Sequence, residues 1–221
     1  MSTLLLPRGL YALVDDGLRP EISLAQKAGW ALEGGARVLQ LRLKRTVMRD
    51  AVPLCREIVA LCRAAGAVLI VNDRVDLALV CEADGVHLGD EDLPVREARR
   101  LLGPSRLVGA TVRGAAGARR AQEEGADHVG MGPVFATRTK TVDHPALGLE
   151  GLRREVAASP LPVVAIAGIG LANIREVAAA GAHAAAVASD LLCAPDPAER
   201  ARALCIAFGE GSAAVRIAKA P

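Results

Sequence analysis

Eight short apolar runs of β-like character recur along the 221 residues, and Ala-rich segments with helical spacing lie between them. The runs are GLYALVDD, ARVLQLRLK, AVLIVND, GVHLG, RLVGATV, HVGMGPV, PVVAIAG and AAAVAS. A chain that returns through a helix after each strand pairs its strands in parallel. Eight such units predict an α/β fold of the (β/α)8 TIM-barrel type. A doubly wound open sheet is the competing arrangement. No G-x-G-x-x-G follows the first run, which weakens it.

The intervening segments read as helices. Residues 48–65, MRDAVPLCREIVALCRAA, place Ala51, Leu54, Cys55, Ile58, Leu61 and Cys62 on one face. Pro53 is expected in the first turn, and Gly66 as the C-cap. EGGA, RAAGA, EEGA and AAAGA precede the second, third, sixth and eighth runs, so a glycine recurs where a helix must stop and turn. No Pro/Ser-rich linker divides the chain. The expectation is one barrel domain over 1–221, with a loosely ordered tail from about 209.

Only 2% of residues are aromatic while 52% are apolar, so the core must be built from Ala, Val, Leu and Ile. The formal charge is +2 with charges mixed along the chain, and no basic block with interleaved aromatics suggests nucleic acid as partner. No apolar run reaches the roughly 20 residues needed to cross a bilayer. The start has neither a basic n-region nor an A-x-A signal. Five cysteines without CxxC spacing read as reduced thiols, so a cytoplasmic location is expected.

In a barrel of this kind the residues just past each strand gather at one mouth. The second run ends with Gln40, Arg42 and Lys44, whose i, i+2, i+4 spacing puts them on one face. They form either an inward polar layer or a site for anions. The third run ends with Asn72, Asp73 and Arg74. The fourth is followed by Asp90, Glu91 and Asp92. Asp73 and one acid from 90–92 are placed to share a hard cation such as Mg²⁺. Alternatively the acids are only the favourable start of a helix near Leu93. The fifth run supplies Thr111 and Arg113, and the sixth leads into Thr137, Arg138, Thr139 and Lys140. After the last two runs, backbone amides of Gly168, Ala188 and Ser189 could cradle a phosphate, or the small residues there could reflect close packing. The set suits small phosphorylated substrates with more than one phosphate.

QLRLK, VNDRVDLAL, DGVHLGDEDLP, GADHVGMGPVFATRTK and VAIAGIG together resemble thiamin phosphate synthase. The resemblance runs from LYALVDD to about Ser189. It implies a transferase that condenses a hydroxymethylpyrimidine pyrophosphate with a thiazole phosphate, using Mg²⁺, by a dissociative route. It implies that Gln40, Arg42, Lys44, Asn72, Thr111 and Lys140 bind the pyrimidine pyrophosphate. Asp73 and Asp92 would hold the metal. Thr137, Arg138, Thr139, Gly168, Ala188 and Ser189 would receive the thiazole phosphate. Lys140, Arg42, Lys44 and Thr111 would act most directly in catalysis. Membranes and nucleic acid are not implied as partners, and a homo-oligomer is compatible.

The sequence departs from the family pattern at several points. Leu43 stands for the usual glutamate, Thr111 for a serine, Arg113 for a histidine and Ala167 for the first glycine of GGI. His183 and Ala184 replace an Asp-Gly pair. Two other readings remain: a thiazole tautomerase of the same fold, and a non-catalytic phosphate-binding barrel. His87 is expected to be an inward core histidine satisfied by a neighbour.

Overall fold

The computed structural model describes residues 4–136 and 145–218, with side chains described up to residue 213. The strands are β1 Gly9–Asp15, β2 Val38–Arg42, β3 Val68–Asn72, β4 Gly85–Leu88, β5 Leu107–Val112, β6 His128–Met131, β7 Val163–Ala165 and β8 Ala184–Val187. They pair in parallel in chain order and close β8 onto β1. The (β/α)8 barrel is therefore present, and the open sheet is not. The helices are α1 Leu24–Glu33, α2 Met48–Ala65, α3 Val75–Val80, α4 Val95–Leu102, α5 Ala115–Glu123, α6 Gly148–Ala158, α7 Ile174–Ala179, α8 Ser189–Leu192 and α9 Pro197–Ala218.

α2 has the bounds that its periodicity predicts, and Gly66 caps it in the left-handed region at φ 63°. Pro53 lies in its second turn, not the first. α4 begins at Val95, two residues after the expected Leu93. Where a loose tail from about 209 was expected, the backbone stays helical to Ala218. The small residues let this last helix come close: a Cβ on Gly34 would overlap Ala201, and one on Gly211 would overlap the Arg175 carbonyl. α9 thus packs against α1 and α7 and seals the helical ring.

The barrel is tied at its lower rim by acids that precede strands. Asp84 accepts from the Leu69 amide at 2.8 Å, and Asp127 from the Val108 amide at 2.8 Å. At the corresponding place before β8 stands His183, whose Nε2 instead meets the Leu6 carbonyl at 2.8 Å. That contact ties β8 to the segment entering β1.

Inside the barrel, Leu6, Tyr11, Val38, Val68, Ile70, Leu107, Val164 and Ala184 form an apolar plug. Above Leu107 the interior turns polar. His87, Gly109 and His128 lie in register on β4, β5 and β6. A Cβ on Gly109 would overlap the His128 ring and stand 2.6 Å from His87 Nδ1, so the glycine makes room for two imidazoles. Both His128 nitrogens are buried without a described partner.

Burial holds His128 neutral, with its pKa well below the ordinary value; the neighbouring His87 and His183 act in the same direction. In the unfolded chain it would titrate at about 6.5. As pH falls below that value, the unfolded state takes up a proton that folded His128 refuses, so stability falls with pH. One such histidine costs about 2 kcal/mol between pH 7 and pH 5. Denaturant unfolding at both pH values should therefore show His128→Phe losing less stability than the wild type across that interval. Equal losses would contradict the neutral buried state.

Candidate active site

The strand ends form one mouth, and β1 and β2 build its first wall. Gln40 is buried and donates from Nε2 to the Tyr11 hydroxyl at 3.0 Å. Arg42, in register with Asp15 across β1 and β2, donates from Nη1 to its Oδ2 at 2.6 Å. The other Asp15 oxygen accepts from the Gly17 amide at 2.7 Å. Buried Lys27 donates to the carbonyls of Asp15 at 3.0 Å and Leu18 at 2.6 Å, which fixes the turn leaving β1. Burial pulls its ammonium below the ordinary range, against the pull of nearby carboxylates.

Asp16 grips the neighbouring loop. Its carboxylate accepts from the amides of Lys44 at 3.0 Å, Arg45 at 2.8 Å and Thr46 at 2.9 Å, and from the Thr46 hydroxyl at 2.9 Å. Partial burial opposes its charge, but these donors outweigh it and hold the carboxyl below its usual range. Lys44 lies beyond the end of β2, so this grip places it where strand pairing cannot.

Lys44 then reaches across the mouth. Its Nζ pairs with Asp73 Oδ2 at 2.5 Å. Asp73 follows β3 in the left-handed region at φ 64°, an uncommon place for a side-chain-bearing residue and a frequent one at functional sites. Its amide is tied to the His87 carbonyl at 2.8 Å. Asp92 comes from the next loop, where its Oδ2 accepts from the Gly89 amide at 2.7 Å. Burial lifts the Asp73 carboxyl above its ordinary range; Lys44 pulls it back, and the Asp92 carboxylate beside it pushes it up again. The favourable-helix-start reading of residues 90–92 does not account for that pairing. Two carboxylates set against each other fit a hard cation with mixed oxygen ligands. Among the described residues no group of three or more metal-binding side chains occurs, so water or substrate oxygens would have to complete such a shell.

Thr111 stands inward on β5, with its hydroxyl 3.0 Å from His87 Nε2. His87 is thus a core histidine half satisfied by a neighbour, its Nδ1 having no described partner. Burial lowers its pKa to about 4, while the Asp92 charge works the other way. Arg113, just past β5, is exposed and pairs with Asp90 at 3.3 Å. Asn72 ends β3 in register with His87.

On the far wall, Gly168 follows β7 at φ 68°, and a Cβ there would come 2.7 Å from the Ala136 carbonyl oxygen and the Phe135 Cβ. Ala167 is left-handed as well, at φ 72°, where glycine would be unstrained. Ala188 and Ser189 join β8 to α8. Thr137, Arg138, Thr139 and Lys140 lie outside the described residues, as does His144.

The structure brings Gln40, Arg42, Lys44, Asn72, Asp73, Asp92 and Thr111 to one mouth. Sequence reasoning missed Asp15 and Asp16, which orient the cations, and Lys27, which fixes the turn leaving β1. The signal was the Asp-Asp at the end of the first run.

Residues 10–191 match the family model described as thiamine monophosphate synthase. A thiamine-phosphate synthase of Myxococcus xanthus is 61% identical over 206 residues, covering 93% of this chain and 94% of that protein. One from Anaeromyxobacter dehalogenans is 50% identical, covering 93% and 90%. A solved thiamine phosphate pyrophosphorylase from Pyrococcus furiosus superposes with a TM-score of 0.84 at 38% identity, covering 92% of this chain and 96% of that one.

Removing the grip on the Lys44 loop should be felt in stability before chemistry. Asp16→Ala leaves three backbone amides to find water and is expected to cost roughly 2–4 kcal/mol in denaturant unfolding at pH 7. A loss within about 0.5 kcal/mol, the range of an ordinary surface change, would show that the loop is held by other contacts.

Proposed function

The chain belongs to the thiamine monophosphate synthase family, and on that premise we propose that its mouth joins a hydroxymethylpyrimidine pyrophosphate to a thiazole phosphate. The products are thiamin phosphate and pyrophosphate. The observation that carries this reading is the Lys44–Asp73–Asp92 cluster, set beside Gln40, Arg42, Asn72 and Thr111. It offers cations and a paired acid site to the same substrate group.

Asp73 and Asp92 would hold Mg²⁺, which when bound offsets charge on the pyrophosphate. Arg42 is already oriented by Asp15, and Lys44 is fixed through its amide by Asp16. Together with Lys140 they would stabilise the negative charge that grows as the C–O bond to pyrophosphate breaks. The electron pair leaves with the pyrophosphate oxygen. The remaining pyrimidine methyl cation is captured by the lone pair of the thiazole nitrogen. Gln40, Asn72 and Thr111 would position the pyrimidine part, and placement of the two reactants supplies much of the remaining help. No general base is required by this balance. Thr137, Arg138, Thr139, Gly168, Ala188 and Ser189 would receive the thiazole phosphate.

The tautomerase reading has less support. The acid pair fits the synthase, and the position of the family's histidine holds Arg113, a guanidinium paired with Asp90. Among the described residues no helix is long and apolar enough to cross a membrane. The described cysteines are free thiols, in keeping with work in the cytoplasm.

With both substrates and Mg²⁺, the purified protein is expected to release pyrophosphate and form thiamin phosphate, and not to accelerate tautomerisation of the thiazole phosphate alone. Asp73→Ala should abolish most turnover, and Lys140→Ala should slow the single-turnover step by roughly 10²-fold. Normal turnover without Mg²⁺ would remove the metal assignment. Rapid tautomerisation with no thiamin phosphate formed would replace the synthase assignment.

A further inference from the structure

The proposed thiazole-phosphate cradle is made by two separate loops, one after β7 and one after β8. What holds them in register is a carboxylate that the reaction itself does not use. Asp190 follows Ser189 directly, and its Oδ2 accepts from the Leu171 amide at 3.1 Å across the gap between the loops. Gly170 makes this approach feasible: a Cβ there would come 2.7 Å from the Asp190 Cγ. Within the first loop, Asn173 accepts from the Gly170 amide at 3.0 Å and donates to the Gly168 carbonyl at 3.0 Å. Gly168 and Ser189 are therefore connected through one short hydrogen-bonded path.

A carboxylate in this place is costly for a phosphate site. Like charges near one another repel, and the repulsion grows as water is excluded. The structure contains the remedy. Arg200 on α9 donates from Nη1 to Asp190 Oδ1 at 3.0 Å and to Oδ2 at 3.2 Å. Both side chains are only about 30% exposed, so the pair is partly withdrawn from water. Arg200 itself is held near the start of α9, where its amide meets the Asp196 carbonyl at 3.0 Å.

We propose that Asp190 and Arg200 form a positioning pair for thiazole-phosphate binding: Asp190 ties the β7 loop to the β8 loop, and Arg200 neutralises Asp190 so that an anion can bind beside it. The inference rests on the reading of this wall as the thiazole-phosphate site. Neither residue contacts the reacting atoms. The pair acts through the backbone of Gly168 to Leu171 and of Ala188 to Ser189.

A merely structural ion pair and a positioning pair differ in what removal of one partner does. Arg200→Gln leaves an uncompensated carboxylate near the cradle. It should raise KM for the thiazole phosphate about tenfold, in line with the loss of a charge-assisted contact. KM for the pyrimidine pyrophosphate and kcat at saturation should stay within about twofold, and Arg200→Lys should recover much of the loss. Removing both charges in Asp190→Asn/Arg200→Gln should restore part of the affinity, because the repelling carboxylate is gone. Calorimetric titration with the thiazole phosphate alone reads the same order without turnover. Unchanged thiazole affinity in Arg200→Gln overturns the inference, as do equal changes in both KM values or a double variant worse than the single. If the wild type binds the thiazole phosphate but makes no thiamin phosphate, the synthase reading fails and the titration still decides the role of the pair. A wild type that neither binds the thiazole phosphate nor turns over overturns both.

Discussion

The carboxylates of Asp73 and Asp92 meet at the top of β3 and β4, and among the described residues Lys44 is the cation that pairs with either of them. Much of the mouth serves this unequal arrangement. Asp73 stands in a left-handed backbone conformation, which strand geometry alone would not select. Asp92 is turned inward by its bond to the Gly89 amide. Lys44 reaches them because Asp16 gathers three successive amides of its loop. Burial and mutual repulsion raise the Asp73 carboxyl, which is the condition a bound cation relieves.

Behind that cluster, the barrel supplies rigidity through small residues. Gly109 admits His87 and His128 side by side, and His87 in turn meets the Thr111 hydroxyl. The polar interior therefore connects to the mouth by one imidazole. On the opposite wall, close packing of Gly168 under the β6 loop and of Gly170 under Asp190 brings the last loops together. These are places where a methyl group would push apart elements that the site needs adjacent.

The architecture was legible because hydrophobic runs and helical spacing alternate without a break. α2 could be bounded from its apolar face and from Gly66, which carries the stop signal at its C-terminal end. Pro53 was expected one turn too early: in a helix that starts at Met48 it is the sixth residue and lies past the first turn. The candidate site was legible as a set of strand ends, which is a property of the fold, and the roles came from the resemblance. What stayed hidden were contacts made between strands. Asp15 with Arg42, Asp16 with the Lys44 loop, and Asp190 with Arg200 are set by register and by loop paths. His128 carried no sequence signal, because an inward histidine and a surface one look alike in a short apolar run. Arg113 was legible both as a strand-end cation and as a departure from the family pattern, while Asp90 as its partner is set by the path of the neighbouring loop.

The central claim is that Asp73 and Asp92 make one cation site for a pyrophosphate-bearing substrate. Paramagnetic titration with Mn²⁺, a spectroscopic substitute for Mg²⁺, tests it most directly when run with pyrophosphate present. The account predicts one ion bound per chain in the wild type, and weakening of that binding by at least tenfold in both Asp73→Asn and Asp92→Asn. Binding of the same strength and stoichiometry in the two variants would contradict it.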